Sequence, residues 1–346
     1  MKPRFTLSKS TILQQYRKVK EAADIVAFSS KTNPLVTPIL EDNSDALFSI
    51  HMVNELKHIK DKRRVVFLAQ AWDEQQIKEL LDQKVNRFVV DNESDLDVLL
   101  LFLEKNEVRE KINLLLRMKV KENTLRTERY FVFGMDSDVV KERVEQIHKK
   151  YHDKIDLGVH FHRKTQNMSE WNLGYQITRM LGEEVLQKIS VINIGGGLPS
   201  EYANTNVDVL PGIFKKIEEL KLFLSGWQIK LMIEPGRFIA APAGKLYAQI
   251  IAIYDHNIII NASVYNSDMD AILVPAKLLV EGELPNGSGQ AYVIKGVTPC
   301  SMDLFRYRVY LNDPKVGDMV TFLNAGAYNF TTDFCDLEKI ETEVVE

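Results

Sequence analysis

Cysteine is nearly absent from this chain of 346 residues; Cys300 and Cys335 are the two it has. Two thiols cannot build a disulfide framework, which excludes the small stapled secreted scaffolds and leads us to expect a reduced, cytoplasmic setting. Long apolar runs are missing too. The greasiest stretch, Val98 to Leu103, is far too short to cross a bilayer. The first ten residues carry charge but no apolar core, so no secretory leader is expected. Positive charge is not in excess: 44 Lys and Arg face 48 Asp and Glu, for a net charge of −4. Without a basic surplus or a basic stripe interleaved with aromatics, a nucleic-acid partner has no support. Neither a short-period repeat nor a low-complexity segment occurs. The apolar fraction of 45% and charged fraction of 27% are those of an ordinary globular protein. The length suits two domains better than one.

From about residue 10 to 240, short apolar runs alternate with amphipathic segments. The runs Ile25–Phe28, Ala46–Ile50, Arg64–Ala69, Arg87–Val90, Ile112–Met118, Ile155–Phe161, Ile189–Ile194 and Lys230–Ile233 predict eight strands. Between them, Asp73–Asp82, Glu93–Glu104, Asp136–Lys149, Trp171–Leu186 and Val209–Leu222 read as helices. Buried strands alternating with helices argue for parallel βαβ units, and eight of them for a closed (β/α)₈ TIM barrel. The texture changes after Arg237. Tyr247–Tyr254, Asn257–Val264, Gln290–Val297, Arg306–Tyr310, Asp318–Leu323 and Ile340–Val345 read as strands with no helices between them. We therefore expect a barrel over 9–239 and an all-β domain over 240–346, the latter joined by the first few N-terminal residues.

Barrel enzymes place their chemistry at the carboxyl ends of the strands. Lys31 follows the first predicted strand, His162 the sixth, Gly195-Gly196-Gly197 the seventh, and Glu234-Pro235-Gly236-Arg237 the eighth. All converge on one rim. A lone lysine is usually a solvated surface charge. Here small polar neighbours surround it, and a lysine whose pKa is lowered by nearby cations can form an imine. Three consecutive glycines let backbone N–H groups approach an anion without Cβ obstruction, although glycine runs also occur in plain loops. Glu234 and Arg237 alone would be an unremarkable exposed ion pair. Aimed at the barrel axis, Glu234 would keep a pyridine nitrogen protonated. A lysine, a phosphate cradle and a carboxylate are the parts that hold pyridoxal phosphate as a Schiff base.

His160 and His162 share one strand face and suit either zinc, a ring stacked on a flat cofactor, or simple packing. A metal site needs ligands at other strand ends. His51 follows the second strand, and the remaining four histidines read as helical or turn residues. No metal is therefore expected. Cys300, flanked by Pro299 and Ser301, is either a small buried hydrophobe or a reactive thiol. Tyr328 reads equally as a core aromatic.

Together these residues resemble the fold-type III pyridoxal-phosphate decarboxylases, the family of the ornithine, diaminopimelate, arginine and carboxynorspermidine decarboxylases. The most specific pieces are Gly195–Gly197 with Glu234–Arg237, supported by Lys31, Phe161-His162, Cys300 and Gly326-Ala327-Tyr328, and the order holds to about Phe334. The resemblance implies an alanine-racemase-like barrel with a C-terminal β domain, and a homodimer with shared active sites. It implies that Lys31 carries the cofactor and that His162 stacks on its ring. Gly195, Gly196, Gly197, Arg237 and Tyr328 would hold the phosphate, with Gly236 in the same cofactor-binding turn. Glu234 would pair with the ring nitrogen, and Cys300 would return a proton to Cα at the site of the opposite subunit. The chain departs from the family at Ser49, where an Asp is usual, and at Ser301, where an acid is usual with Asp303 two positions on. No arginine for a distal carboxylate occurs between Tyr265 and Pro275, while Asp270 fits the carboxynorspermidine pattern.

We accordingly expect a decarboxylase for an amino acid with a distal amine, of the polyamine-forming kind, with Tyr265, Asp268, Asp270 and Asp303 as substrate-binding residues. A racemase would want an arginine at the ring nitrogen, where Glu234 stands. A non-catalytic cofactor carrier would lack the second domain and its thiol. A metal-dependent barrel hydrolase would rest on His160 and His162.

Overall fold

The computed structural model describes residues 1–120, 132–162, 172–205 and 207–346. The chain divides into two units. One combines Arg17–Leu198 with Val209–Gly236; the other combines Met1–Tyr16, Pro199–Asp208 and Arg237–Glu346.

The first strand, β1 (Arg4–Ser8), belongs to the second of these units. The barrel unit holds β2 (Ile25–Ser29), β3 (Leu47–Ile50), β4 (Val65–Ala69), β5 (Arg87–Val90), β6 (Ile112–Arg117), β7 (Ile155–His160), β8 (Val191–Asn193) and β9 (Lys230–Ile233). They form a closed barrel in sequence order, and every pair is parallel. β9 returns to β2 through Ile25 opposite Met232 and Val26 opposite Ile233. The eight predicted strands are all present. Continuous β-branched runs are what a strand buried on both faces requires. Inside, Ala27, Val66, Val89, Leu115 and Met232 form a buried cluster. Gly158 makes room for it: a Cβ there would fall 2.6 Å from the Val191 carbonyl oxygen and into the Leu115 side chain. Gly158→Ala is therefore expected to destabilise the protein by about 1–3 kcal/mol, the cost of overpacking. A urea midpoint equal to the wild type's would refute this account of the barrel interior.

The helices start where the caps say. Asp73 accepts a hydrogen bond from the Gln76 N–H and opens Glu74–Asp82; Asn92 does the same for Glu93–Lys105 through Asp95. The long helix predicted over Trp171–Leu186 is two, Leu173–Leu181 and Glu183–Leu186, because Gly182 takes φ +79° between them. Trp171 itself lies outside the described residues.

In the second unit, β10 (Gly244–Tyr254), β11 (Asn257–Ile260), β12 (Leu279–Val280), β13 (Gln290–Lys295), β14 (Leu304–Leu311) and β15 (Met319–Leu323) run in the order β12-β15-β10-β11-β13-β14. β1 pairs with β10 and also with β16 (Glu341–Val345), so N-terminal residues complete this sheet. The expectation of strands without helices between them is corrected. Short helices occupy Val264–Ser267 and Asp270–Leu273, and β11 stops at Ile260 rather than Val264. Ser263 ends the extended run: its Oγ accepts from the Tyr265 N–H while the Asn266 side chain accepts from the Ser263 N–H. Among the described residues no helix is long and apolar enough to cross a membrane.

Candidate active site

In the barrel unit, β2 ends in Ser29 and the chain turns through Ser30–Thr32. Ser30 and Thr37 share a buried hydroxyl–hydroxyl bond of 2.9 Å, which pins the turn that carries Lys31. Gly236 lies against the same turn, and a Cβ on it would invade the Thr32 hydroxyl. Lys31 Nζ is 3.1 Å from His51 Nε2. His51 follows β3, and its N–H and that of Met52 both donate to Glu55 Oε1, at 2.7 and 3.0 Å. Lys31 opens to solvent, yet the protein around its ammonium removes hydration and lowers its pKa. Glu234 and Glu55 oppose that shift, and Arg117 adds to it. Burial and then the Lys31 charge push His51 down to about 4, so its ring is neutral at physiological pH.

Asn193 closes β8 and ties two motifs together. Its Oδ1 accepts from the Gly195 N–H at 2.9 Å, and its Nδ2 donates to Glu234 Oε1 at 2.9 Å. The Glu234 N–H donates to the Gly195 carbonyl at 2.8 Å. Gly195 and Gly197 take φ +70° and +96°, the left-handed region that disfavours any Cβ. At Gly196 a Cβ would strike the Glu234 carbonyl, and the Gly196 N–H donates to His162 Nδ1 at 3.2 Å. That bond needs an unprotonated Nδ1. Desolvation, then the neighbouring His160, drive His162 down to about 4, in keeping with it. Glu234 is 7% exposed, and His160 Nε2 lies 3.7 Å from its Oε2, an electrostatic contact rather than a hydrogen bond. Burial raises the Glu234 pKa, but His160, Asn193 and His51 outweigh it and bring the carboxyl to about 2. At the ends of β5 and β6, Arg117 donates to Asp91 Oδ1 at 3.1 Å.

Among the described residues of this unit, Thr32 Oγ1, Ser49 Oγ, His51 Nδ1, Glu55 Oε2 and both His160 ring nitrogens are buried without a protein hydrogen-bond partner. Buried polar atoms are rarely left so, and several at adjacent strand ends mark a site built for a polar ligand. With a glycine turn that admits no Cβ and a fixed carboxylate, these residues fit pyridoxal phosphate. No cluster of three His, Cys, Asp or Glu side chains able to hold a metal occurs among the described residues.

The second unit holds the other predicted residues. Arg237 donates to both carboxylate oxygens of Asp270 and, at 3.0 Å, to the Tyr202 hydroxyl. The Tyr328 ring faces the guanidinium, its centroid 5.0 Å from Arg237 Cζ. Burial disfavours the Arg237 charge, and the Asp270 carboxylate more than restores it. Burial lifts Tyr202 to about 12 despite Arg237. Asp268 is 2% exposed with Oδ2 unpartnered, and burial plus the Asp270 charge raise it to about 7. The Tyr265 hydroxyl sits 3.2 Å from Cys300 Sγ, and its ring stacks on Phe334 at 3.8 Å. The phenol is raised to about 12 and the thiol lowered, each chiefly by this bond. Asp303 accepts from the Val264 N–H and from the Thr298 N–H and hydroxyl, and so braces loops.

Lys31, His162, Gly195, Gly196 and Glu234 thus belong to one network of contacts and charges, and Arg237, Asp270 and Tyr328 to another. Sequence reasoning missed His51, Asn193, Arg117 and Tyr202 as members. His51, Asn193 and Arg117 share a signal that was available, their place at the carboxyl ends of β3, β8 and β6. Tyr202 has none.

A sequence model of the family described as "Pyridoxal-dependent decarboxylase, pyridoxal binding domain" matches residues 10–241, more than half of the chain. Among curated proteins, the chain is similar to the diaminopimelate decarboxylase of Aquifex aeolicus, 24% identical over 285 residues, which is 77% of this chain and 66% of that protein. Two further diaminopimelate decarboxylases are matched over 38% and 50% of their lengths, so the chain spans less than two thirds of these relatives. Among solved structures, lysine/ornithine decarboxylase of Vibrio vulnificus complexed with cadaverine aligns with a TM-score of 0.80 at 21% identity, covering 99% of this chain and 94% of that one. Diaminopimelate decarboxylase of Helicobacter pylori complexed with L-lysine aligns at 0.83 and 17% identity, covering 100% and 92%.

Proposed function

The chain belongs to the pyridoxal-dependent decarboxylases, whose cofactor is pyridoxal phosphate, and from that membership we propose that it removes the α-carboxyl group of an amino acid carrying a distal amine. The observation that carries this is Glu234, a buried carboxylate fixed by Asn193 and by the glycine turn, in the electrostatic neighbourhood of Lys31. The cofactor, when bound, supplies a sink for the electron pair left by a broken Cα bond. Lys31 would hold it covalently through Nζ. By the resemblance, Gly195, Gly196 and Gly197, with Gly236, Arg237 and Tyr328, would hold its phosphate, and His162 would contact its ring. Glu234 keeps a proton at the ring nitrogen; an arginine there would serve a racemase instead. Cys300, its thiol acidified by the Tyr265 hydroxyl, returns a proton to Cα. By the resemblance, that thiol would serve the site of a partner subunit in a homodimer. Two free thiols suit a reduced cytoplasmic setting.

We take 9–239 as the cofactor-binding barrel and 240–346, with the first few residues, as the β domain. The family match over 10–241 and the pairing of β1 with β10 support that division.

The substrate's distal ammonium falls to Asp268. Asp270 is engaged by Arg237 and Asp303 by loop N–H groups, whereas Asp268 keeps an unpartnered oxygen. A cation beside Asp268 would restore its charged form and offset its burial. Decarboxylation should be screened over ornithine, lysine, arginine, diaminopimelate and carboxynorspermidine. Asp268→Asn is expected to lower kcat/KM for the preferred substrate by roughly two orders of magnitude, mostly through KM. An unchanged KM would remove Asp268 from the substrate site. A polyamine-forming role follows if a monocarboxylate wins. The names of the relatives favour diaminopimelate as the second reading, and its fastest turnover would replace the first.

A further inference from the structure

One contact in the barrel unit has no role in the function so far: His51 Nε2, 3.1 Å from Lys31 Nζ. We propose that His51 takes up and returns the proton that Lys31 must shed to bond the cofactor. This rests on the assignment of Lys31 as the anchor.

An ammonium has no free electron pair and cannot attack an aldehyde. A proton passed to His51 moves along an existing hydrogen bond and needs no base from the medium. The backbone that carries the ring is fixed, since the His51 and Met52 main-chain N–H groups both donate to Glu55 Oε1. With Nδ1 protonated, the Nε2 lone pair faces Nζ. Nδ1 is buried without a protein partner, so no other described group fixes the opposite tautomer. The groups whose charge reaches His51 are Lys31, Glu234, Arg117 and His160, with Glu55 on its own turn. Glu234 is a poor acceptor, being stabilised as the anion by His160 and Asn193, and Arg117 carries its own positive charge. Two cations 3.1 Å apart repel strongly, so the Lys31–His51 pair carries a single positive charge, on one nitrogen or the other.

The step balances. Lys31 Nζ gives one proton to His51 Nε2, and the freed pair bonds the aldehyde carbon of pyridoxal phosphate. The carbon–oxygen bond breaks toward oxygen, which leaves as water with the proton returned by His51 and one from Nζ. The imine nitrogen keeps the third, and His51 ends neutral as it began.

The test mixes cofactor-free protein with pyridoxal phosphate and follows the growth of the visible imine band against pH. In the wild type the rate should vary little across neutral pH, because the proton moves internally. In His51→Gln it should fall on the order of 10²-fold near neutrality and climb steadily as the medium strips the amine instead. In His51→Ala, added imidazole should restore the rate. Equal pH slopes in wild type and His51→Gln, or no response to imidazole, would overturn the proposal. A band formed by Lys31→Ala would overturn the anchor itself, a separate failure. Should neither variant fold, the ¹⁵N signals of His51 in labelled wild-type protein decide: they should move as the imine forms, and unmoved signals count against the relay.

Discussion

Replacing Lys31 by alanine is expected to leave a folded protein that forms no visible imine band with pyridoxal phosphate and releases no CO₂ from any amino acid. The fold should survive because Lys31 sits on a solvent-open turn whose geometry is set by others: Ser30 against Thr37, and Gly236 against Thr32. Its ammonium is not a stabilising element, since desolvation is the largest influence on it and disfavours the charge. The chemistry should vanish because, among the described residues, Lys31 is the lysine that contacts His51 and lies within reach of the Glu234 field. Borohydride reduction followed by peptide mapping provides the check. Wild-type protein should carry the reduced cofactor on the peptide containing Lys31, and the variant on none. Retained turnover in the variant would dismantle the functional assignment, because Lys31 would then not be the residue that holds the cofactor.

Glu234→Gln should come next in size. Glutamine keeps an oxygen for the Asn193 Nδ2 donor and roughly the same volume, so the glycine turn and Glu234 position are preserved while the charge is lost. Removing a preorganised charge from a site of this kind typically lowers kcat on the order of 10²- to 10³-fold, and a loss of that size is expected here with KM little changed. An undiminished kcat would mean that the carboxylate does not serve the ring nitrogen. The same substitution tests the electrostatics through pH. The Glu234 pKa is depressed from 4.5 to about 2 in the folded state, so its charge favours the folded form above 4.5. That contribution is lost as pH falls from 4.5 through 2. Circular dichroism across an acid titration should show the wild type losing stability over that window, with the Glu234→Gln curve flatter there. Parallel curves would argue that the unfolded chain holds this carboxyl just as low.

The barrel was legible because a parallel strand buried on both faces is written as an uninterrupted apolar run, and eight such runs separated by capped helices admit few closures. Errors fell where a single residue overrode the pattern. Gly182 splits a helix whose apolar spacing continues across it, since only its left-handed φ breaks the run. Ser263 and Asn266 turn a β-branched stretch into a helical turn by capping each other's backbone. β12, at two residues, is too short to carry a period.

Of the candidate site, the sequence by itself determined which strand ends carry Lys31, the three glycines and Glu234. A residue's rank behind a strand fixes which barrel end it occupies, whatever its side chain then does. It could not say how those side chains engage one another, because a hydrogen bond depends on positions to within tenths of an ångström that no periodicity encodes. Only the tertiary structure decided that Asp270 is bound to Arg237 and Asp303 to loop N–H groups, leaving Asp268 as the acid with an unpartnered oxygen. It likewise decided that Asn193 joins the glycine turn to Glu234 and that a histidine two positions past Ser49 meets the lysine. The Lys31–His51 and Asn193–Glu234 pairings bring together residues 20 and 41 positions apart in the chain, and only closure of the barrel fixes their distances.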